Sequence, residues 1–256
     1  MITKARRTVK SAFLQAEGNE AVRRIAWLQP PLDKSLAALL LQAPQDFLVL
    51  LDAADLHVEA LLHGEDRLFS FYSEVATLAG GRQMILSLPW SGRVPPPAHL
   101  QHAFLSAALR TSAFGRVALL LAFADTPDTI RDARTALDAT MRELFWRDLP
   151  FDEVVPVGLR LETPAAVLNA RALAEEVDFL DLELDHVTQL ALGGSPTAPM
   201  LKQHRQEILQ LAKLALSGAH AAARFLSVSG SLASDPYFRV ALADLGVDAI
   251  TEAPFC

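Results

Sequence analysis

The chain has 256 residues, of which 51% are hydrophobic and 21% charged, and its formal net charge is −7 at pH 7. A negative charge argues against nucleic acid as the main partner, because phosphate contacts need a basic surface. The longest apolar runs, such as Val117 to Ala124, are much shorter than the ~20 residues that cross a bilayer. We therefore expect neither nucleic acid nor a membrane as a partner.

Cysteine usage and the start of the chain indicate a compartment. The one cysteine, Cys256, is the last residue, so no intrachain disulfide can form. Basic residues gather at Lys4, Arg6, Arg7 and Lys10, but the apolar segment of a signal peptide does not follow them. Both features are typical of a protein in a reducing compartment. We predict a cytoplasmic location.

Short apolar runs alternate with amphipathic stretches along the chain, which is the pattern of βα units around a parallel sheet. The predicted strands are, in chain order, Arg24–Gln29, Asp46–Leu51, Met84–Leu88, Val117–Ala124, Val154–Leu161, Phe179–Leu184, Phe225–Val228 and Val247–Thr251. The predicted helices between them are Asp33–Leu41, Arg67–Leu78, Ala98–Thr111, Asp128–Trp146, Pro164–Glu176, Pro199–Ala222 and Pro236–Leu245.

Cap residues support several of these boundaries. Thr126, Thr163 and Asp235 each stand directly before a proline. A polar cap followed by proline is typical of a helix N-terminus, where the missing proline N–H needs no partner. Gly246 follows the last predicted helix, where a left-handed residue is favoured.

Eight predicted strands in this alternation indicate a (β/α)8 TIM-type barrel that forms a single domain over residues 1–256. An open doubly wound sheet is the alternative, but no glycine-rich phosphate loop follows an early strand. The chain ends a few residues after the eighth strand, so we expect the barrel to lack the usual final helix. Residues 1–23 have a helix-forming composition and are predicted to be an N-terminal helical extension. Either that extension or a partner subunit would cover the gap.

Five segments carry a resemblance to a known family. Residues 109–116 read LRTSAFGR, 162–166 read ETPAA, 176–179 read EVDF, 188–189 read TQ and 229–235 read SGSLASD. They resemble, in the same order, the LRASAFGK, ETPAA, EVDFF, TQ and CGELAGD segments of enzyme I of the bacterial phosphoenolpyruvate:sugar phosphotransferase system. The resemblance covers about residues 68 to 256 and is looser before them.

The resemblance implies a barrel that binds phosphoenolpyruvate through Mg²⁺ and arginines, with a cysteine that protonates the enolate. Glu162 matches one metal-binding carboxylate of the family, and Asp185-His186 stands where the family has an Asn-Asp pair. Glu162, Asp185 and His186 are therefore the candidate metal ligands, although Mg²⁺ prefers oxygen. Ser229 stands at the cysteine position, and its hydroxyl is a much weaker acid than a thiol. The residues themselves assign no cofactor.

The family's cationic residues are replaced in this chain. One family arginine falls near Ser87, another near Leu51 or Asp52, and a third near Pro196. Ser87 is accordingly a candidate substrate contact. Acidic residues, in contrast, stand near the predicted carboxyl ends of strands: Asp52, Glu162, Glu183, Asp185 and Glu252. A negatively charged barrel mouth is unfavourable for a highly anionic ligand.

Arg160 and Glu183 stand where the family has an apolar residue and a glycine. Because side chains alternate along a strand, Arg160 and Glu162 share one face of the fifth strand. Arg160 is therefore a candidate substrate-binding residue, and we hypothesise that it forms an ion pair with Glu183, Glu162 or both that fills the ancestral pocket. A Ser229–His186–Asp185 nucleophile is disfavoured, because adjacent residues of one strand point to opposite faces.

Structural roles compete with each functional interpretation. Glu162 can cap the following helix or pair with Arg160, and His186 can be a histidine of the barrel rim. Ser229, together with Ser231, can satisfy backbone groups at the end of the seventh strand. Residues 80–82, which read Gly-Gly-Arg, are interpreted as a helix-to-strand turn.

Two functional hypotheses follow. The first is a catalytically degenerate, stand-alone relative of the enzyme I barrel, a pseudoenzyme that acts as a binding or regulatory module. It would form a dimer or another homo-oligomer, or bind a protein partner. The second is a divergent metal-dependent enzyme of the phosphoenolpyruvate/pyruvate superfamily, a phosphotransferase or lyase that acts on a small oxo-acid.

Overall fold

The computed structural model describes residues 23–28, 48–52, 57–90 and 96–252. The predicted helix Asp33–Leu41 lies outside these residues, as does the predicted N-terminal extension up to residue 22. The predicted lack of a final helix also concerns residues beyond the described ones, which end at Glu252.

Eight parallel strands pair in chain order, and β1 pairs with β8, so the described sheet closes into a barrel. The predicted strands are confirmed with small shifts of their ends. The segments after β1 and after β8 lie outside the described residues, so a complete eightfold βα repeat is not covered. The strands are β1 Arg23–Leu28, β2 Leu48–Asp52, β3 Met84–Pro89, β4 Val117–Ala122, β5 Val157–Leu161, β6 Phe179–Glu183, β7 Phe225–Ser229 and β8 Ala249–Glu252.

The helices confirm the predicted alternation but correct several bounds. They are α1 His57–Ala79, α2 Ala98–Ser112, α3 Pro127–Trp146, α4 Pro164–Leu168, α5 Ala170–Glu176, α6 Leu184–Ala191, α7 Ala198–Gln203, α8 Arg205–Ala221, α9 Ser231–Ser234 and α10 Pro236–Leu245. The helix predicted over Pro164–Glu176 is two helices, as is the one predicted over Pro199–Ala222. Helix α1 is kinked at Gly64 (φ 70°). Helices α6 and α9 were not predicted.

The predicted caps are confirmed. Thr126 accepts a hydrogen bond from the amide of Thr129, and Thr163 accepts one from Ala166. Asp235 accepts from two amides of the first turn of α10, which ends at Gly246 in the left-handed region with φ 82°. Local side-chain chemistry that can be read from the sequence therefore fixes these helix ends.

The predicted turn over residues 80–82 is also confirmed. Gly80 and Gly81 have φ of 60° and 84°. Arg82 Nε donates to the carbonyl oxygen of Ala79 at 2.6 Å, and Arg82 Nη2 donates to that of Leu78 at 3.1 Å. The guanidinium therefore satisfies carbonyls at the C-terminus of α1.

The barrel interior changes from apolar to polar along its axis. The residues nearest the amino ends of the strands form one buried apolar cluster, Leu48, Leu50, Ile85, Ala118, Leu120, Phe179, Phe225 and Ala249. Toward the carboxyl ends, the same faces of β5, β6 and β7 carry buried polar residues, Arg160, Glu162, Asp181, Glu183, Ser227 and Ser229. Side-chain alternation along each strand connects the two sets. The barrel therefore has a hydrophobic floor below a polar upper half.

Glycine at position 158 provides the space for the floor. A Cβ atom added to Gly158 would lie 2.3 Å from Cζ of Phe179, which is paired with it across β5 and β6. The phenyl ring is 1% exposed, so it has little room to move. The ring thus closes the bottom of the polar region because residue 158 has no side chain.

We expect Gly158→Ala to lower the free energy of unfolding by about 1–3 kcal/mol, because the new methyl group would overpack the floor. Urea unfolding measures the change. The matched control is Gly158→Ala in a Phe179→Leu background, where the methyl group has more space. An equal loss in both backgrounds would contradict the proposed contact.

Candidate functional site at the carboxyl end of the barrel

The polar upper half of the barrel lies at the carboxyl ends of the strands, where barrels of this class carry their sites. Its charged side chains are buried: Arg160 is 4% exposed, Glu162 2%, Asp181 1% and Glu183 7%. Buried charges require partners, because water no longer solvates them. The contacts of each side chain therefore indicate what the region can do.

Asp181 is the centre of this region. Its Oδ1 accepts a hydrogen bond from Ser227 Oγ at 2.6 Å, and its Oδ2 accepts one from Ser229 Oγ at 2.7 Å. Arg160 Nε donates to the same Oδ2 at 3.2 Å in a buried ion pair. The strand register explains the arrangement, since Arg160 and Ser227 are the partners of Asp181 on β5 and β7.

The location of Arg160 agrees with the hypothesis of an internal ion pair, and Asp181 is a partner that was not predicted. The predicted pairing of Arg160 with Glu183 or Glu162 stays a prediction. Asp181 and Ser227 were not predicted as site residues. The signal was present in β6, where Phe179, Asp181 and Glu183 alternate on one face of a strand that is buried throughout.

Glu162 holds the loop that follows β4. Its Oε2 accepts a hydrogen bond from the backbone amide of Phe123 at 2.7 Å, and its Oε1 lies 3.6 Å from Nδ1 of His186. Phe123 has φ 60°, which is strained for a residue with a side chain. Its ring is 6.4 Å from that of His186, measured between centroids. Glu162 thus stabilises an uncommon turn at the rim, and it does not cap the next helix, since Thr163 does so.

Glu183 is the N-cap of α6 and accepts a hydrogen bond from the amide of His186 at 2.5 Å. Burial of its carboxylate raises the pKa of Glu183 from 4.5 to about 7. The nearby carboxylate of Glu162 raises the pKa of His186, which is half exposed at the rim. Both groups therefore hold a proton more firmly than they would in water.

Asp185 holds the start of α9. Its Oδ2 accepts from the amide of Ser231 at 2.6 Å and from Ser231 Oγ at 2.8 Å, and its Oδ1 accepts from the amide of Leu232 at 2.9 Å. Gly230, with φ 103°, allows this approach, because a Cβ atom there would lie 2.8 Å from Glu183 Oε1. Asp185 thus connects the loops after β6 and β7.

The Ser229–His186–Asp185 nucleophile does not assemble. Ser229 donates to Asp181, and Asp185 accepts from Ser231 and Leu232. The nucleophile was disfavoured on the assumption that Asp185 and His186 are adjacent on one strand. That assumption was wrong, because both residues lie in the first turn of α6. Ser229 and Ser231 were expected to satisfy backbone groups, but both hydroxyls donate to carboxylates, and that of Ser229 also lies 3.5 Å from the carbonyl oxygen of Leu182.

Ser87 is buried in β3, at 1% exposure. Its register partner is Leu120, on the next strand, and Leu120 is in turn opposite Gly158. Ser87 is therefore level with the floor, one inward position below Arg160. Its role as a substrate contact stays a prediction.

The donor set that the resemblance assigns to Mg²⁺ is a poor fit. Both oxygens of Asp185 already accept backbone N–H groups, and Glu162 binds the amide of Phe123. Among the residues with described side chains, no group of three or more His, Cys, Asp and Glu is arranged to hold a metal ion. Mg²⁺ needs several oxygen ligands in near-octahedral geometry, and reaching it here would require opening the caps.

No helix in the described ranges is long and apolar enough to cross a membrane.

The fold and the site together define a parallel α/β barrel whose polar residues lie at the carboxyl end. Residues 96–255 match the family model described as PEP-utilising enzyme, PEP-binding domain. The chain belongs to this family.

Curated relatives agree with the family assignment. The phosphoenolpyruvate-protein phosphotransferase of Haemophilus influenzae is 30% identical over 151 residues, which is 57% of this chain and 26% of that protein. The enzyme of the same name from Buchnera aphidicola subsp. Baizongia pistaciae is 28% identical over 151 residues, with the same coverage. The match thus spans about a quarter of the length of these relatives.

Solved structures support the fold alone. Malate synthase of Haloferax volcanii superposes with a TM-score of 0.67 and 15% identity, covering 93% of this chain and 73% of that one. A citrate lyase of Burkholderia xenovorans gives a TM-score of 0.64 and 17% identity, covering 93% and 75%. These likenesses support the barrel architecture and nothing beyond it.

The raised pKa of Glu183 predicts that stability falls with pH. Because the folded-state pKa, about 7, lies above the ordinary value of 4.5, the folded protein binds this proton more tightly than the unfolded chain. The contribution is present below about pH 4.5 and is lost as the pH rises through 7, and it amounts to on the order of 3 kcal/mol.

Urea unfolding of the wild type and of Glu183→Gln between pH 4.5 and 8 measures this contribution. Glutamine keeps an oxygen for the amide of His186 but does not ionise, so we expect a smaller fall in the variant. The remaining fall reports His186, whose raised pKa acts in the same direction. Parallel curves for both proteins would contradict the assignment.

Proposed function

We propose that this protein contains a catalytically degenerate barrel of the PEP-binding family that acts as a binding or regulatory module. The ion pair between Arg160 and Asp181 carries the proposal. Its guanidinium lies where a cation would hold an anionic ligand, and an internal carboxylate already engages it. The positive charge of Arg160 is thus balanced by a side chain of the protein itself.

The charge of the rim supports the same conclusion. The described residues at the mouth include the carboxylates of Glu162, Glu183 and Asp185, whereas Arg160 below them is paired with Asp181 and His186 is half exposed. Phosphoenolpyruvate carries both a carboxylate and a phosphate, and such anions are held by guanidinium forks or metal ions. An excess of carboxylates disfavours this ligand.

The proposal includes the architecture beyond the described residues. We expect a (β/α)8 barrel that forms a single domain over residues 1–256. It also includes a protein partner, either a second copy or another protein. Phe145 and Trp146, which are 68% and 83% exposed, pack edge to face at the end of α3 and offer apolar area for such a contact.

One observation favours the alternative, a divergent metal-dependent transferase or lyase that acts on a small oxo-acid. Glu183, with a pKa of about 7, lies beside His186 at the open end of the barrel. A carboxyl and imidazole pair of this kind can exchange a proton near neutral pH, as general acid–base chemistry requires. The metal in this alternative would need Glu162, which is therefore the residue to test.

Thermal unfolding with Mg²⁺ or Mn²⁺, with and without phosphoenolpyruvate, pyruvate or oxaloacetate, separates the two functions. The degenerate module predicts no change in Tm beyond about 1 °C at millimolar ligand, since only a ligand that binds the folded state raises it. A metal-dependent rise of several degrees would contradict the proposal. If Glu162→Gln abolished that rise while Glu175→Gln, on the exposed face of α5, kept it, the enzyme would be favoured.

A further inference from the structure

Three side-chain donors converge on the carboxylate of Asp181 from the two strands beside it. Arg160 Nε, on β5, and Ser229 Oγ, on β7, donate to Oδ2 at 3.2 and 2.7 Å. Ser227 Oγ, also on β7, donates to Oδ1 at 2.6 Å. All four residues are at most 4% exposed. We define these three donors as the carboxylate pocket.

The pocket walls do not depend on the side chain of their occupant. Both serine hydroxyls have a second acceptor within reach, at longer distance: Ser227 Oγ lies 3.4 Å from the carbonyl oxygen of Leu180, and Ser229 Oγ lies 3.5 Å from that of Leu182. Backbone pairing holds β5, β6 and β7 in register irrespective of the side chain at position 181. Removing that side chain would therefore leave the donors in place around a void.

We propose that Asp181 is a built-in occupant of a pocket for one carboxylate group, and that a small monocarboxylate takes its place once the side chain is removed. In the intact chain, the carboxylate of Asp181 occupies the position that a ligand carboxylate would take. The inference rests on the proposed function, since it concerns the same barrel interior. It adds the chemical class of the ligand group that this interior fits.

Charge and size specify that class. One guanidinium and two hydroxyls match a single negative charge with two oxygens. A dianionic phosphate would meet the carboxylates of Glu162 and Glu183 on the next positions of β5 and β6. The floor made by Phe179 limits depth. The group that fits is therefore a carboxylate with little or no carbon attached.

Chemical rescue tests the pocket, because each truncation leaves a void of known shape. Asp181→Ala removes the carboxylate alone, so formate fits the space. Asp181→Gly removes the methylene group as well, so acetate fits. Asp181→Asn fills the pocket with an isosteric neutral group and is the matched control. Asp181→Ala combined with Arg160→Met removes the cation and controls for anion selectivity.

We expect formate to raise the Tm of Asp181→Ala by about 3–5 °C at ~10 times its dissociation constant. Acetate should be the better ligand for Asp181→Gly. Sodium chloride at equal ionic strength, and formate on the wild type, Asp181→Asn or the double variant, should change Tm by less than half as much. An equal effect of chloride, or an equal effect of formate on the double variant, would overturn the inference.

If the truncated variants do not fold in plain buffer, refolding from urea with and without formate replaces the melting experiment. Recovery of native circular dichroism only with the matching carboxylate supports the pocket, and no recovery with any carboxylate overturns it. Failure of the proposed function gives a different result from failure of the pocket. It would appear as binding of Mg²⁺ and phosphoenolpyruvate to the wild type, in which Asp181 is intact.

Discussion

The buried carboxylate of Asp181 and the guanidinium of Arg160 constrain the whole upper half of the barrel. Each charge would be unfavourable alone at 1% and 4% exposure. Ser227 and Ser229 donate hydrogen bonds to the same carboxylate. Because the four residues lie on β5, β6 and β7, the same contacts link three adjacent strands. The interior is therefore polar and joined by its own hydrogen bonds.

The other acidic residues of the mouth have structural roles of the same kind. Glu162 accepts a hydrogen bond from the amide of Phe123, whose backbone is strained, Glu183 caps α6, and Asp185 caps α9. Two of these, Glu162 and Asp185, are the carboxylates that the family resemblance assigns to a metal. Their present contacts give each of them a structural role, since each fixes a loop at the rim.

Much of the fold could be predicted from the sequence, because the deciding signals are local. Buried parallel strands read as apolar runs, and Thr126, Thr163 and Asp235 mark helix starts with their own side chains. The short helices α6 and α9 were missed because their capping residues belong to other elements. Glu183, which caps α6, is the last residue of β6, and Asp185, which caps α9, lies in α6. The splits at Asn169 and His204 lack glycine or proline signals at the break itself.

The site was harder to predict because it depends on strand register. Alternation placed Arg160 on the interior face, as observed, but the level of β6 against β5 decides whether Asp181 or Glu183 is its neighbour. That stagger is set by closure of the whole barrel and is not encoded in either strand alone. The family motif drew attention to Glu162 and Asp185, whereas the central residue, Asp181, lies outside every motif.

The proposed function requires that the guanidinium of Arg160 stays paired with Asp181 when Mg²⁺ and phosphoenolpyruvate are added. The most direct measurement is the side-chain Nε–H resonance of Arg160 in a proton–nitrogen correlation spectrum, assigned by its loss in Arg160→Lys. We predict a single, solvent-protected signal that does not move during titration with Mg²⁺ and phosphoenolpyruvate to millimolar concentration. A saturable shift of that signal would show that the arginine binds the ligand and would contradict the account.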